Sequence, residues 1–339
     1  MTQEQRKAAF KHLGNYLQNP DEHLKTLISN AHYSNAWFTP EETRKAINGI
    51  SHMLNAEDLD TWMDDVKNQQ GNFTPKKIGL VLAGNIPMVG FHDILSVMAS
   101  GHIALIKSSS QDKDLIPHLV NKLIEFEPEF KNQINFIERL EGFDAVIATG
   151  SNNTSRYFEY YFGKVPHIIR KNRNSIAVLT GEETRDELHL LGHDVFDFFG
   201  MGCRNISKVF VPNDYDFTTF FESVETYKNI VNHNKYCNNY EYNKSIYLIN
   251  REKHFDNGFL LVKKDERLAS PLAVLYYEEY DKLESAEALI LLHSEQIQCI
   301  VSKSKLNVSN QQVGFGESQK PKLWDYADGV NTIEFLLSL

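Results

Sequence analysis

The sequence predicts an α/β protein in which helices cover parallel β-sheets, and two observations lead to this prediction. Short apolar runs, bounded by glycine, proline, serine or asparagine, alternate along the chain with longer stretches of helical periodicity. Such alternation is typical of βαβ units, whose strands run parallel because a crossover helix connects each strand to the next. The chain has 339 residues, 42% of them hydrophobic, which is enough to bury the cores of two domains.

The first half of the chain combines a helical segment with three predicted strands. Residues 1 to about 70 are predicted to be mostly helical, because Leu13, Tyr16 and Leu17 recur at helical spacing and residues 39–42 form a good helix start. The strands are predicted at 77–83, 103–107 and 143–149, and helices at 91–99, 114–126 and from about 155 onward.

The second half, from Asn174 onward, continues the alternation less regularly. Strands are predicted at 175–179 and 208–211 on either side of a helix at 182–201. Segments rich in Val, Ile, Leu and Tyr, a composition that favours strands, follow at 245–249, 272–277 and 299–301. The stretch 227–242, rich in Asn and Tyr, is predicted to be a polar surface loop.

Composition excludes several classes of protein. Thirty-five basic and 45 acidic residues give a net charge of −10, which argues against a nucleic-acid partner because such binding needs a basic face. The three cysteines form no CxxC pair and no disulfide framework, so a reducing compartment is expected. The first residues lack the apolar core of a signal peptide, and no uncharged stretch reaches membrane-spanning length. We therefore expect a soluble cytoplasmic protein without a membrane partner.

Polar residues follow each of the first three predicted strands. They are Asn85, the run 107–110 and the run 149–151. Ligands of open parallel sheets bind at the carboxyl ends of the strands, and helix-start amides there suit an anion such as a pyrophosphate. Ser109 fits an ordinary helix cap equally well, whereas Lys107 is harder to explain as a cap and is expected to meet an anion. A GxGxxG fingerprint is absent.

A single cysteine, Cys203, follows the glycines at 200 and 202 and precedes an apolar, strand-like stretch at 206–211. A thiol on such an elbow is accessible from a cleft, and its thiolate can attack a carbonyl carbon and hold the acyl group. The alternative is a small buried hydrophobe, the commoner role of a lone cysteine. His189 and His193, four residues apart, lack a third ligand, so no metal site is predicted.

Four short motifs occur in order: Gly-Asn-Ile-Pro at 84–87, Ala-Leu-Ile-Lys-Ser-Ser at 104–109, Ala-Thr-Gly-Ser at 148–151 and Gly-Cys at 202–203. Together with the tail at 323–332 they resemble the acyl-CoA reductase family, the luminescence-type fatty acyl reductases of the aldehyde dehydrogenase superfamily. The resemblance implies two Rossmann-like α/β domains with parallel sheets and a cleft between them. It implies a cofactor-binding domain with a helical N-terminal segment at 1–173, a catalytic cysteine domain at 174–322 and a C-terminal tail at 323–339.

The same resemblance implies roles for individual residues. Cys203 would be the acylated nucleophile, and its backbone N–H would form the oxyanion hole together with the side-chain amide of Asn85. Lys107 would bind the adenosine ribose of the cofactor, with Ser109 beside it. Gly150 and Ser151 would start the helix that receives the pyrophosphate. Two preorganised donors suit the chemistry, because reduction of a thioester passes through a tetrahedral oxyanion.

Two departures from the superfamily pattern refine the expected function. The stretch 167–173 carries no carboxylate where hydrolytic aldehyde dehydrogenases have a general base, so thioester exchange with a carrier thiol is favoured over hydrolysis. His167 in this stretch is a candidate proton donor or a structural histidine. Arg170, Lys171 and Arg173 there are either an approach for an anion or a solvated turn. Ser110 stands where NAD-selective members carry a glutamate, which favours NADPH, with NADH as the alternative.

The leading hypothesis is an NADPH-dependent reductase that converts an acyl thioester, acyl-CoA or acyl carrier protein, into an aldehyde through an S-acyl-cysteine. An acyl-phosphate or semialdehyde dehydrogenase using the same cysteine is an alternative. A catalytically silent nucleotide-binding relative is another, although the joint presence of Cys203, Asn85 and Lys107 counts against it. A homodimer is the default expectation for the assembly.

Overall fold

The computed structural model describes residues 1–69, 74–150 and 152–339. The chain divides into two compact units, each an α/β structure around its own sheet. The first unit comprises Met1–Asn172 together with Lys320–Leu339, and the second comprises Arg173–Gln319. No helix among the described residues is long and apolar enough to cross a bilayer.

The sheet of the first unit is parallel, with the strand order β3-β2-β1-β4-β5. Its strands are β1 (Lys77–Val81), β2 (Ile103–Lys107), β3 (Ile134–Phe136), β4 (Ala145–Thr149) and β5 (His167–Arg170). The predicted strands at 77–83, 103–107 and 143–149 are confirmed by β1, β2 and β4, whereas β3 and β5 were not predicted. In register, Val81 lies opposite Lys107, and Thr149 lies opposite Arg170. The carboxyl ends of these strands therefore share one edge of the sheet.

Helices account for the rest of the first unit. They are α1 (Gln3–Gln18), α2 (Glu22–Ser34), α3 (Pro40–Met53), α4 (Ala56–Gln69), α5 (Phe91–Ser100), α6 (Leu115–Phe126), α7 (Asn152–Phe162) and α12 (Thr332–Leu337). Helix α1 starts at a capping box between Thr2 and Gln5. Phe10, Leu13 and Leu17 on its inner face are buried, as their helical spacing predicts.

The C-terminal segment is attached to the first unit through buried polar groups. A ring nitrogen of His92 lies 2.8 Å from the carbonyl oxygen of Leu323, and one of His102 lies 2.8 Å from that of Leu336. Burial lowers the pKa of both histidines. The guanidinium of Arg170, itself paired with Asp93, donates to the carbonyl oxygen of Ala327 at 2.7 Å. Since buried charges are costly unless paired, these contacts fix the segment in one position.

The second unit has a larger sheet with the order β12-β11-β6-β7-β10-β9-β8. Its strands are β6 (Asn174–Val178), β7 (Ile206–Pro212), β8 (Phe255–Asp256), β9 (Leu261–Lys264), β10 (Val274–Tyr280), β11 (Ile297–Ser302) and β12 (Gln312–Val313). All neighbours pair in parallel except β8 and β9. The helices α8 (Arg185–Phe196), α9 (Thr218–Val224), α10 (Asn234–Ile249) and α11 (Leu283–Leu292) complete the unit.

Two predictions for this unit are wrong. The expected strand at 245–249 and most of the expected loop at 227–242 belong to 3-10 turns and to helix α10. Tyr236, Tyr240, Asn243 and Tyr247 form a buried stripe on α10 at helical spacing, and packing of this stripe overrides the β-propensity of the final residues. The helix predicted at 182–201 ends at Phe196, because a left-handed turn follows.

Candidate active site

The loops that follow β1 and β2 meet at the carboxyl edge of the first sheet. A Cβ atom added at Gly84 would collide with the hydroxyl of Ser109, so this glycine allows the close approach of the two loops. The side chain of Asn35 donates to the carbonyl oxygen of Gly84 at 3.1 Å. Asn85, the next residue, is exposed at this edge. The predicted oxyanion donor and the predicted cofactor residue Ser109 thus lie on adjoining loops.

Asp112 connects the same two loops from below the surface. Its carboxylate accepts a hydrogen bond from the N–H of Met88 at 2.6 Å, and its own N–H donates to the carbonyl oxygen of Ser109 at 3.1 Å. Met88 has a positive φ of 56°, so this contact holds a residue in the sparsely populated left-handed region. Asp112 is only 2% exposed, and burial raises its pKa to about 6. A buried carboxyl therefore fixes the loop that carries Asn85.

The other predicted cofactor residues also follow the carboxyl ends of β2 and β4. Lys107 is exposed, and its ammonium donates to the carbonyl oxygen of Glu138 at 2.7 Å. Gly150 lies two residues before the start of α7, and a Cβ there would come within 2.9 Å of the Phe158 ring. This glycine is therefore needed for close packing of the helix against the strand end. Ser151 lies outside the described residues.

His167 is not brought together with these residues. It begins β5 opposite Val146, three positions before the carboxyl end, which is about 10 Å away along the strand. Its ring nitrogen Nδ1 lies 2.8 Å from the carbonyl oxygen of Val165.

Arg170 is 4% exposed and paired with Asp93, and Lys171 pairs with Glu159 at 2.8 Å. Arg170 is therefore neither an approach for an anion nor part of a solvated turn, because it is buried and paired. Lys171 is exposed and its ion pair is a surface contact, so the approach for an anion stays a prediction for Lys171 and Arg173.

In the second unit, Cys203 lies in a turn between a left-handed segment and β7. Phe198, Phe199 and Gly200 have consecutive positive φ values of 54°, 57° and 76°. Two aromatic residues in this region cost roughly 2–4 kcal/mol together. Both rings are 7% exposed, so their burial helps to hold the turn. Cys203 itself is half-buried and belongs to no disulfide. Strained backbone beside a partly accessible thiol is typical of a functional site.

The backbone around Cys203 is held by two polar side chains of the same unit. The side-chain oxygen of Asn205 accepts from the N–H of Gly202 at 2.8 Å, and its NH₂ group donates to the carbonyl oxygens of Asp194 and Asp197. The hydroxyl of Ser175 on β6 lies 3.0 Å from the carbonyl oxygen of Cys203 and donates to it. These bonds fix the turn on both sides of the thiol.

A second layer of contacts attaches the turn to residues 311–318. Arg204 donates to the carbonyl oxygen of Ser318 at 2.6 Å and to the side chain of Gln311 at 2.7 Å. The carboxylate of Asp194 accepts from the N–H groups of Gly316 and Ser318. Burial raises the pKa of Asp194 to about 6, although these amides act in the opposite direction. Arg204, which follows the thiol, and helix α8, which precedes the turn, are thus both attached to the segment 311–318.

A family model described as acyl-CoA reductase (LuxC) matches residues 5–225, about two thirds of the chain, and this stretch includes Asn85, Lys107 and Cys203. The chain belongs to the acyl-CoA reductase family. It is therefore an oxidoreductase, and the resemblance seen in its motifs is confirmed. No curated protein sequence matches this chain at a significant level.

Solved aldehyde dehydrogenases share the fold of this chain. Aldehyde dehydrogenase 21 from Physcomitrella patens, solved with its product succinate, is 12% identical with a TM-score of 0.69, covering 100% of this chain and 84% of that chain. An NAD-dependent benzaldehyde dehydrogenase from Corynebacterium glutamicum is 12% identical with a TM-score of 0.65, covering 94% and 83%. An aldehyde dehydrogenase from Mycobacterium tuberculosis, complexed with NAD⁺, is 13% identical with a TM-score of 0.62, covering 92% and 77%. The predicted aldehyde-dehydrogenase-like fold is confirmed.

Sequence reasoning missed three side chains that shape the candidate site. They are Asp112, Ser175 and Asn205. Their residue types were the available signal, because short polar side chains commonly bond to nearby backbone groups. Asn205 bonds to the backbone of Gly202, only three positions away, and such a contact is predictable in kind. Asp112 reaches Met88 across 24 positions, and only the folded structure reveals that contact.

Proposed function

We propose that this acyl-CoA reductase family member reduces an acyl thioester, acyl-CoA or acyl carrier protein, to an aldehyde with NADPH. The observation that carries the proposal is the strained, hydrogen-bonded turn that presents the half-buried thiol of Cys203. A fixed backbone beside a nucleophile supplies a preorganised donor where negative charge develops during acyl transfer.

The edge formed by the loops after β1, β2 and β4 fits a nicotinamide dinucleotide. Its exposed Lys107 offers a cation for the ribose or its phosphate, and Gly84 leaves no side chain between the first two loops. The start of α7, just after Gly150, suits the pyrophosphate because helix N-termini attract anions. Ser110 at the same edge is exposed and uncharged, which favours a cofactor carrying a 2′-phosphate. When bound, the nicotinamide supplies the hydride that reduces the acyl carbon.

Cys203 performs the covalent chemistry in this proposal. Its thiolate attacks the thioester carbonyl carbon, an Sγ–C bond forms, and the C–S bond to the carrier breaks. The carrier thiolate leaves and takes up the proton that the Cys203 thiol has lost. The backbone N–H of Cys203 donates to the oxyanion of each tetrahedral intermediate. The side-chain amide of Asn85 is proposed as a second donor, on the strength of the sequence motif. After reduction, the Sγ–C bond breaks, and the aldehyde and the Cys203 thiolate are released.

The lack of a general base near the predicted position supports a reductase over a hydrolytic dehydrogenase. Residues 167–173 contain no carboxylate. Hydrolysis of an acyl-enzyme requires a base placed to take a proton from water. Without that base, the acyl group on Cys203 persists until it is reduced or transferred to a thiol. His167 is left out of the proposal, because it lies at the amino end of β5.

The proposal is tested by NADPH oxidation with acyl-CoAs of increasing chain length. We expect turnover with at least one chain length, its loss in Cys203→Ala, and its retention in Cys237→Ala. Cys237 is a matched control because it is also half-buried and lies in the same unit. Intact-mass spectrometry without NADPH should show one acyl group on the wild-type protein and none on Cys203→Ala. An acyl group on Cys237 or Cys299 would refute the assignment of the nucleophile.

A further inference from the structure

Asn205 makes an unusually complete set of contacts for a single side chain. It is 3% exposed, and each of its polar groups bonds to the backbone of the segment that surrounds the thiol. The side-chain oxygen accepts from Gly202 N–H at 2.8 Å. The NH₂ group donates to the carbonyl oxygen of Asp194 at 3.1 Å and to that of Asp197 at 2.7 Å. Only an amide supplies an acceptor and two donors from one planar group of this size.

The main chain of Asn205 adds a contact that decides the direction of a neighbouring peptide. Its N–H donates to the carbonyl oxygen of Gly202 at 3.1 Å. That carbonyl belongs to the same planar peptide unit as the N–H of Cys203. In a trans peptide the C=O and the N–H point in opposite directions. Because the Gly202 carbonyl is directed at Asn205, the Cys203 N–H is directed away from the interior of the turn.

We infer that Asn205 is a positioning residue that aims the backbone N–H of Cys203 at the oxyanion. The inference rests on the proposed function, since it concerns the donor of that acyl-transfer step. The side chain of Asn205 accepts from the Gly202 N–H, and the main-chain N–H of Asn205 donates to the Gly202 C=O. Both polar groups of the Gly202 backbone are therefore fixed. Rotation of the Gly202–Cys203 peptide would break the hydrogen bond from the Asn205 N–H to the Gly202 carbonyl oxygen. It would also turn the Cys203 donor away from the charge it has to stabilise.

The inference predicts a specific sensitivity to the chemistry of residue 205. In Asn205→Asp the carboxylate still accepts from Gly202 N–H, but its second oxygen faces the carbonyl oxygens of Asp194 and Asp197 instead of donating to them. Two acceptors in contact repel each other, so the turn shifts although the side chain keeps its size. Asn205→Ser is the second variant: its hydroxyl replaces the amide, can still make one hydrogen bond and introduces no buried negative charge.

The experiment compares two reactions of the same thiol in the full-length protein. Acylation by acyl-CoA passes through an oxyanion, whereas alkylation by iodoacetamide does not. We expect Asn205→Asp to acylate about tenfold to a hundredfold more slowly, because losing one oxyanion donor completely costs about 10²–10³-fold. Alkylation should fall much less, and the acyl-CoA concentration for half-maximal rate should stay unchanged. Asn243→Ala is the control, since buried Asn243 donates to the carbonyl oxygen of Leu272 at 2.9 Å elsewhere in the unit. It should alter neither rate.

The outcomes separate the inference from the function on which it rests. If the wild-type protein takes no acyl group from any acyl-CoA, the proposed function fails and the inference fails with it. If the wild type is acylated and Asn205→Asp acylates equally fast, the inference alone is overturned. Equal losses in acylation and alkylation would also overturn it, because they would indicate a displaced thiol. If Asn205→Asp does not fold, Asn205→Ser decides by the same ratio of rates.

Discussion

The buried carboxyl of Asp112 should make stability depend on pH in a direction that the structure determines. Burial raises its folded-state pKa to about 6 from the ordinary value of 3.8. The stability that the protonated carboxyl contributes is therefore fully present below about pH 3.8, and it is lost as the pH rises through about 6. Each unit of difference between the folded and unfolded pKa corresponds to about 1.36 kcal/mol. At pH 8 the charged carboxylate therefore lowers the free energy of unfolding by up to about 3 kcal/mol.

Asp112→Asn isolates this effect because the amide has the same shape and still accepts from Met88 N–H, but does not titrate. We expect the wild-type free energy of unfolding to rise by up to about 3 kcal/mol, relative to Asp112→Asn, between pH 8 and pH 4. Urea titrations at a series of pH values measure this difference. His92, His102 and Asp194 also have shifted pKa values, but they are present in both proteins and cancel. A difference that stays constant across this range would refute the reasoning.

Three further predictions concern the site and its support. Asn85→Ala should lower the rate of acyl reduction about 10²–10³-fold with little change in NADPH affinity, and unchanged turnover in a chemistry-limited assay would show that Asn85 only shapes its loop. Wild-type protein given a fatty aldehyde and NADP⁺ should form NADPH slowly in water and faster when CoA is added; rapid formation of free acid without a thiol would mean that another residue acts as the base. Arg170→Met should lower the free energy of unfolding by about 3–5 kcal/mol, because it leaves Asp93 buried without its partner, and limited proteolysis near Ala327 should accelerate. A second change, Asp93→Leu, should restore much of the stability, and a failure to do so would contradict the buried-charge explanation.

Strands with long apolar runs were predictable from the sequence, whereas short strands were not. β1, β2 and β4 are each five residues long and mostly buried, so their composition alone indicates a central position in the sheet. β3 is a three-residue edge strand whose last two residues are exposed, and it lacks such a signal. Helix α10 was predicted incorrectly because its buried positions are tyrosines and an asparagine, which are ordinarily counted as polar. Burial of such residues depends on partners elsewhere, such as the carbonyl oxygen of Phe259 that accepts from the Tyr236 hydroxyl.

The position of the last twenty residues could not be predicted, because it depends on contacts between distant parts of the chain. The Trp62 indole donates to the hydroxyl of Tyr326 at 3.0 Å across 264 positions, and Lys322 reaches Asp58 at 2.9 Å over the same separation. No local periodicity records such pairs. The residue types gave a partial hint, since buried tryptophans and tyrosines usually find hydrogen-bond partners. Trp62 is buried and Tyr326 is half-buried. Which partners they find is decided by the fold.

The Cys203 turn shows why a candidate site can be proposed from the sequence while its geometry cannot. The glycines at 200 and 202 mark the position, but the left-handed residues include Phe198 and Phe199, which ordinarily avoid that conformation. Their strain of roughly 2–4 kcal/mol is matched by three side-chain hydrogen bonds of Asn205, worth about 0.5–1.5 kcal/mol each. The turn therefore persists because its cost and its compensation lie within a segment of twelve residues, from 194 to 205. A compensation this local can be lost through one substitution at Asn205 while β6, β7 and the rest of the sheet stay intact. This makes the turn, rather than the fold, the part of the second unit on which the proposed activity most directly depends.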